Sequence, residues 1–138
     1  MLFALLVLST SLCVNAQSPL GLWKVMNEEN NQVNYKVEIF NSSDTLYGKV
    51  IELVYLPNDA VCTNCEGKNK GKAILNMIIL SGLTKENDHW RNGSMTDIDN
   101  GVFYGECSIW FEGDDYSTLY LRARHWTTLA KKYKWIRD

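Results

Sequence analysis

The sequence predicts an all-β domain, a single antiparallel up-and-down β-barrel of about eight strands. Three observations predict it. Short runs rich in β-branched and aromatic residues follow one another, separated by polar turn-forming stretches, and no long helical period interrupts them. The runs number about eight, the count at which a closed barrel is just wide enough for side chains or one small ligand. Glycine also falls inside two runs shortly after a turn, Gly48 in DTLYG and Gly105 in NGVFYG. A glycine there weakens a strand and marks a bulge or sharp bend, which barrel closure needs.

Residues 1–16, MLFALLVLSTSLCVNA, stand apart from the rest. Leu2 to Leu8 is unbroken and apolar, but far shorter than the ~20 residues of a spanning helix. Val14-Asn15-Ala16 has the small residues that signal peptidase accepts before its cut. A signal peptide over 1–16 is therefore expected, with the mature domain over 17–138. No Lys or Arg precedes the apolar run, and Leu12 before Cys13 does not fit a lipobox. The expected localisation is periplasmic or secreted, without a membrane span.

The mature chain opens with a strand from Leu20 to Met26. After a polar stretch, Val33, Tyr35, Val37 and Ile39 alternate with Asn34, Lys36, Glu38 and Phe40, the pattern of a half-buried strand. Ser42 to Asp44 turns the chain, and Thr45 to Leu56 reads as a long strand. Pro57 to Lys72 is a polar loop carrying two cysteines. Ala73 to Leu83 is apolar and of ambiguous type. Asn87 to Asp97 holds Trp90, and Asp99-Asn100-Gly101 is a tight-turn signal. Val102 to Phe111, Tyr116 to Trp126 and Lys132 to Arg137 complete the strands.

Lys and Arg number 14 against 16 Asp and Glu, a net charge of −2, which excludes a strongly basic nucleic-acid binder. The sequence contains no G-x-S-x-G, H-E-x-x-H or phosphate-cradling glycine motif, so no catalytic residue is assigned. Asp97-Ile98-Asp99-Asn100-Gly101 has its glycine one place early for a calcium loop, and Ser108 stands where that loop needs Glu. It reads as a turn.

Cys62, Cys65 and Cys107 remain after cleavage, an odd number that allows one intramolecular disulfide. Cys62–Cys65 is the preferred pair, and either cysteine with Cys107 is the alternative. Cys107 alternates with Phe103, Ile109 and Phe111 and reads as a buried thiol. Redox chemistry at C-x-x-C needs a depressed thiol pKa, usually at a helix N-terminus, whereas here Glu66 follows and Gly67 and Gly71 oppose a helix. Zinc needs four ligands, and Cys62, Cys65 and His89 lack a second pair at ligand spacing. No metal and no cofactor is expected.

Gly21-Leu22-Trp23-Lys24 places a tryptophan just past a glycine on the first strand, where it suits a plug for the barrel floor. The last strand carries Lys131, Lys132, Lys134 and Arg137. A cation laid over the Trp23 ring would add ~0.5–2 kcal/mol and fix the closure. This G-x-W start with a late basic residue resembles the signature of the lipocalin and calycin barrels.

The whole mature chain is similar to a family of small exported bacterial proteins known as a domain of unknown function. The residues that carry the resemblance are Gly21-Leu22-Trp23-Lys24, Cys62-x-x-Cys65-x-Gly67, Ile74-Leu75 through Ile79-Leu80 to Gly82-Leu83, Trp90 with Gly93, Asp97-x-x-Asn100-Gly101, Tyr104 with Cys107, and Trp135-Ile136-Arg137. The family tends to carry Gly-Arg before its last Trp. Ala130-Lys131 stands here, which leaves the Trp23 partner open between Lys131 and Arg137. The resemblance implies a lipocalin-like barrel in the bacterial envelope and no activity.

The functional expectation is a non-enzymatic envelope protein that binds a small apolar or amphipathic ligand in its barrel. Tyr35, Tyr47, Tyr55, Trp110 and Tyr120 are the expected lining. The alternative is a packed module that contacts an envelope protein through Asn58 to Lys72. A redox factor using Cys62 and Cys65 is the third reading.

Overall fold

In the computed structural model, which describes residues 18–126 and 130–138, alternation of period two decides which side chains meet. The strands are β1 (Gly21–Met26), β2 (Val33–Ser42), β3 (Thr45–Leu53), β4 (Ile78–Glu86), β5 (His89–Thr96), β6 (Phe103–Glu112), β7 (Asp115–Arg124) and β8 (Lys131–Arg137). Each pairs antiparallel with the next, and β8 returns to β1, closing an eight-stranded barrel in chain order. The expected fold class is the observed one.

Inward positions are apolar on every strand. Trp23, Val37, Val50, Leu80, Leu83, Ile109, Leu119, Leu121 and Trp135 are all buried and fill the lumen. The tight hairpins β2–β3, β4–β5 and β6–β7 lie at one end, the floor, with Ser18–Leu20 and Asp138. The connections β1–β2, β3–β4, β5–β6 and β7–β8 lie at the other end, the mouth.

Both flagged glycines sit at irregularities. The β3–β4 register shifts on either side of Gly48, and a Cβ there would come 3.0 Å from the Leu80 Cβ. On β6, Tyr104 pairs with Met95 and Cys107 with Gly93, so Gly105 and Glu106 form a bulge opposite Ser94. That bulge reverses the facing of Phe103, which is exposed although Cys107, Ile109 and Phe111 face inward.

Two boundaries differ from expectation. β3 ends at Leu53, and Val54 to Leu56 leave the sheet as exposed apolar residues. In the ambiguous stretch from Ala73, Asn76 takes a positive φ of 70° and turns the chain, so that β4 starts only at Ile78. The expected signal peptide at 1–16 lies outside the described residues. Among the described residues, no helix is long and apolar enough to cross a membrane.

Candidate functional site

The seam between β1 and β8 organises both ends of the barrel. Trp23 pairs with Arg137, Lys24 with Ile136 and Val25 with Trp135. At the floor, the Trp23 indole donates to the Pro19 carbonyl at 2.8 Å, and the Arg137 guanidinium lies 4.3 Å from its ring centroid. Arg137 also donates to the carbonyls of Ser18, Leu20 and Tyr116. The closing cation is therefore Arg137. Lys131, the other candidate, is six residues earlier on β8 and belongs to the mouth, where its Nζ lies 3.5 Å from Asp97 and over the Tyr133 ring.

The seam pairs no further than Val25 and Trp135, so the ends of β1 and β8 part towards the mouth. Two cavities meet at this fork. The inner one, about 330 Å³, is lined by Val25, Glu28, Tyr35, Met95, Asp99 and Trp135, with others. The outer one, about 440 Å³, shares Val25, Glu28 and Trp135 and reaches Tyr120, Lys132 and Ile136. A third lobe of about 310 Å³ extends from Tyr35 and Asp99 to Leu53, Tyr55 and Ile98.

Asp97 is the polar centre of the mouth. It is buried, and its Oδ2 accepts from the Tyr133 hydroxyl at 2.7 Å. Its Oδ1 accepts from the backbone N–H groups of Asp99 and Asn100, at 2.9 and 3.4 Å, folding the β5–β6 turn around itself. Burial, then Asp99 and Asp97, push the Tyr35 phenol well up. Burial, then the hydrogen bond to Tyr104 and the contact with Asp97, push the Tyr133 phenol up. Desolvation at the rim, then Asp97, hold the Asp99 carboxyl above the ordinary carboxylate range.

The C-x-x-C loop buttresses this turn. Cys62 and Cys65 form a disulfide, and both are buried. Cys62 exchanges backbone hydrogen bonds with Gly71 and Lys72, and the Glu66 N–H donates to the Gly101 carbonyl. Gly101 has a φ of +77°, and a Cβ on it would fall 1.8 Å from the Asn64 carbonyl oxygen. Only glycine fits both demands. Cys107 stays a buried free thiol on the barrel wall.

Of the five expected lining aromatics, only Tyr35 points into the lumen. Tyr55 stands exposed on the rim, on the lobe it shares with Tyr35. Tyr47, Trp110 and Tyr120 lie on the outer wall, because Leu46, Ile109, Leu119 and Leu121 take the inward positions beside them. Tyr47 stacks on Phe40 there, and Trp110 stacks between His89 and Tyr120 under Lys132. Tyr120 reaches only the outer lobe at the seam. Asp97, Asp99, Tyr133 and Trp135 line the mouth without having been assigned to it. The signal for the last two was available, since Lys131, Tyr133 and Trp135 share one face of a strand.

The eight-stranded closed barrel, with its floor tryptophan under a cation from the last strand, has a lipocalin-like fold. The fold is similar to that of the protein HP1028 from the human pathogen Helicobacter pylori, described as belonging to the lipocalin family. The TM-score is 0.70 at 16% identity, over 89% of this chain and 84% of that one. The chain belongs to the DUF2147 family, uncharacterized proteins conserved in bacteria, whose model matches residues 21–137. No curated protein matches it.

Proposed function

We propose that this is an exported, non-enzymatic binding protein whose barrel mouth holds a small amphipathic molecule. The observation that carries the reading is the inner mouth cavity. Its volume falls at the low end of the ~300–1,000 Å³ range of ligand pockets, and it joins Val25, Met95 and Trp135 to a few converging polar groups. Binding at the mouth is compatible with a lumen filled below by its own side chains. The Cys62–Cys65 disulfide supports an oxidising compartment. Native mass spectrometry of the protein purified without denaturant from its own host tests the reading. A retained small molecule is expected. A bare chain that also takes up nothing from a host extract would refute it.

A second reading is a contact surface for another envelope protein around Asn58 to Lys72. Exposed Tyr55, Leu56 and Val61 favour it. Deleting the loop is a poor test, because Cys62 and Cys65 are core residues. Tyr55→Ser with Leu56→Ser keeps that core, and an unchanged set of captured partners would count against this reading. The burial of both disulfide cysteines supports a structural bridge over a redox one.

A further inference from the structure

We propose that the outer wall of the barrel carries a second site, a groove beside the C-x-x-C loop that takes a single-chain anionic amphiphile, an alkyl tail ending in a carboxylate or phosphate head. The tail lies on Ile78 and Phe103, and the head meets the ammonium groups of Lys68 and Lys72. This site is outside the lumen and does not depend on the reading of the mouth.

The groove exists because the wall parts there. The β4–β5 ladder begins at Leu80 and Met95, so Ile78 and Ile79, nearer the mouth, have no partner on β5. The segment from Lys68 to Met77 lies over this gap. The Asn69 amide ties it to β5 by donating to the Thr96 hydroxyl at 3.3 Å, and Asn76 and Met77 tie it to β3 through backbone hydrogen bonds with Val50. The space between that segment and the outer faces of β4, β5 and β6 is about 540 Å³, inside the ~300–1,000 Å³ range of ligand pockets. Met77 and Ile79 line it too, and both are buried, so its bottom is apolar.

Two backbone irregularities turn apolar side chains outward into this space. The bulge at Gly105 and Glu106 breaks the alternation of β6 and puts Phe103 outside, 43% exposed. The turn at Asn76 delays β4 until Ile78, which is 39% exposed. Both line the groove. Large apolar side chains gathered on one outer surface mark a contact site, as singly scattered ones do not.

Charge selects the occupant. Lys68 and Lys72 are the only charged residues on the lining, and neither has an ion-pair partner among the described residues. Their ammonium groups attract an anion and repel an amine. Their alkyl stems extend the apolar surface offered to a tail. A neutral chain gains the apolar contact alone. A concavity of this size, walled by the loop, admits one chain and not the face of a bilayer.

The test maps four ten-carbon probes by nuclear magnetic resonance on the isotope-labelled protein: decanoate, decyl phosphate, decan-1-ol and decylamine, each below its micellar concentration. The two anionic probes are expected to move the Lys68, Ile78 and Phe103 amide resonances and to bind about tenfold more tightly than decan-1-ol, with decylamine weakest. The tighter of the two names the head. Lys68→Gln with Lys72→Gln should weaken both anionic probes about tenfold and leave decan-1-ol unchanged. Phe103→Ser should weaken all four. The proposal is overturned if decan-1-ol or decylamine binds the groove as tightly as the anionic probes, or if the double lysine variant binds decanoate as the parent does. Shifts confined to Tyr35 and Trp135 overturn it as well and leave the mouth reading standing. Silence at the groove overturns it whatever happens at the mouth.

Discussion

The Arg137 guanidinium lies over the Trp23 indole, 4.3 Å from the ring centroid, and these two residues are direct partners across the closing seam. One side chain thus joins the last strand to the first and, through the Ser18 and Leu20 carbonyls, to the segment that leads into the barrel. Arg137→Ala removes the cation–π contact and three hydrogen bonds at once and should cost about 2–4 kcal/mol in urea unfolding. Arg137→Lys should recover less than half, because an ammonium cannot span three carbonyls while covering a ring. Equal stability of Arg137→Ala and the parent would remove the seam from the account of the fold.

Gly101→Ala should be among the most damaging single changes. Its φ of +77° disfavours any L side chain, and the Asn64 carbonyl occupies the place of the new methyl group. A loss of about 3 kcal/mol or more is expected, measured as a lower urea midpoint. Gly105→Ala is the control. It meets nothing within 4 Å and should cost far less.

The Tyr133 hydroxyl serves a buried carboxylate, so Tyr133→Phe leaves Asp97 short of one donor. A destabilisation of about 1–3 kcal/mol should follow. Hydrogen exchange should quicken at the Asp99 and Asn100 amides if the Asp97 turn loosens with it.

Burial pushes the Cys107 thiol from 9.0 up to about 12. The folded state holds that proton more tightly than the unfolded chain. Its contribution to stability is therefore fully present below pH 9.0 and is lost as the pH rises towards about 12. At pH 8, a thiol-specific reagent should label Cys107 negligibly in the native oxidised protein and fully in urea. Rapid native labelling would show that the β6 wall opens.

The Cys62–Cys65 bridge closes a loop of only a few residues, which reduction opens. The chain-entropy account then gives about 2 kcal/mol, near the lower end for disulfides. Cys62→Ala with Cys65→Ala should fold and should unfold at a urea midpoint lower by that amount.

Much of the architecture was legible because alternation and glycine placement act locally. Trp23, Gly48 and Gly105 carry their meaning within a few residues, and the Cys62–Cys65 pair was the nearest in sequence. The lining of the mouth was less legible. Tyr47, Trp110 and Tyr120 are aromatic like Tyr35, but one residue of phase puts them on the outer wall. Following the phase outward from Ile109 would have placed Trp110 correctly. Asp97 read as a turn residue, which it is. That its second oxygen serves Tyr133, 36 residues away, depends on barrel closure and has no local trace.

Because Ser18–Leu20 and Asp138 lie at the Trp23 end, an anchor fused to the carboxyl terminus would hold the molecule by its base. A sensor chip or bead coupled through that end would leave the opposite rim turned towards free solution, the orientation that a test of the proposed mouth site needs.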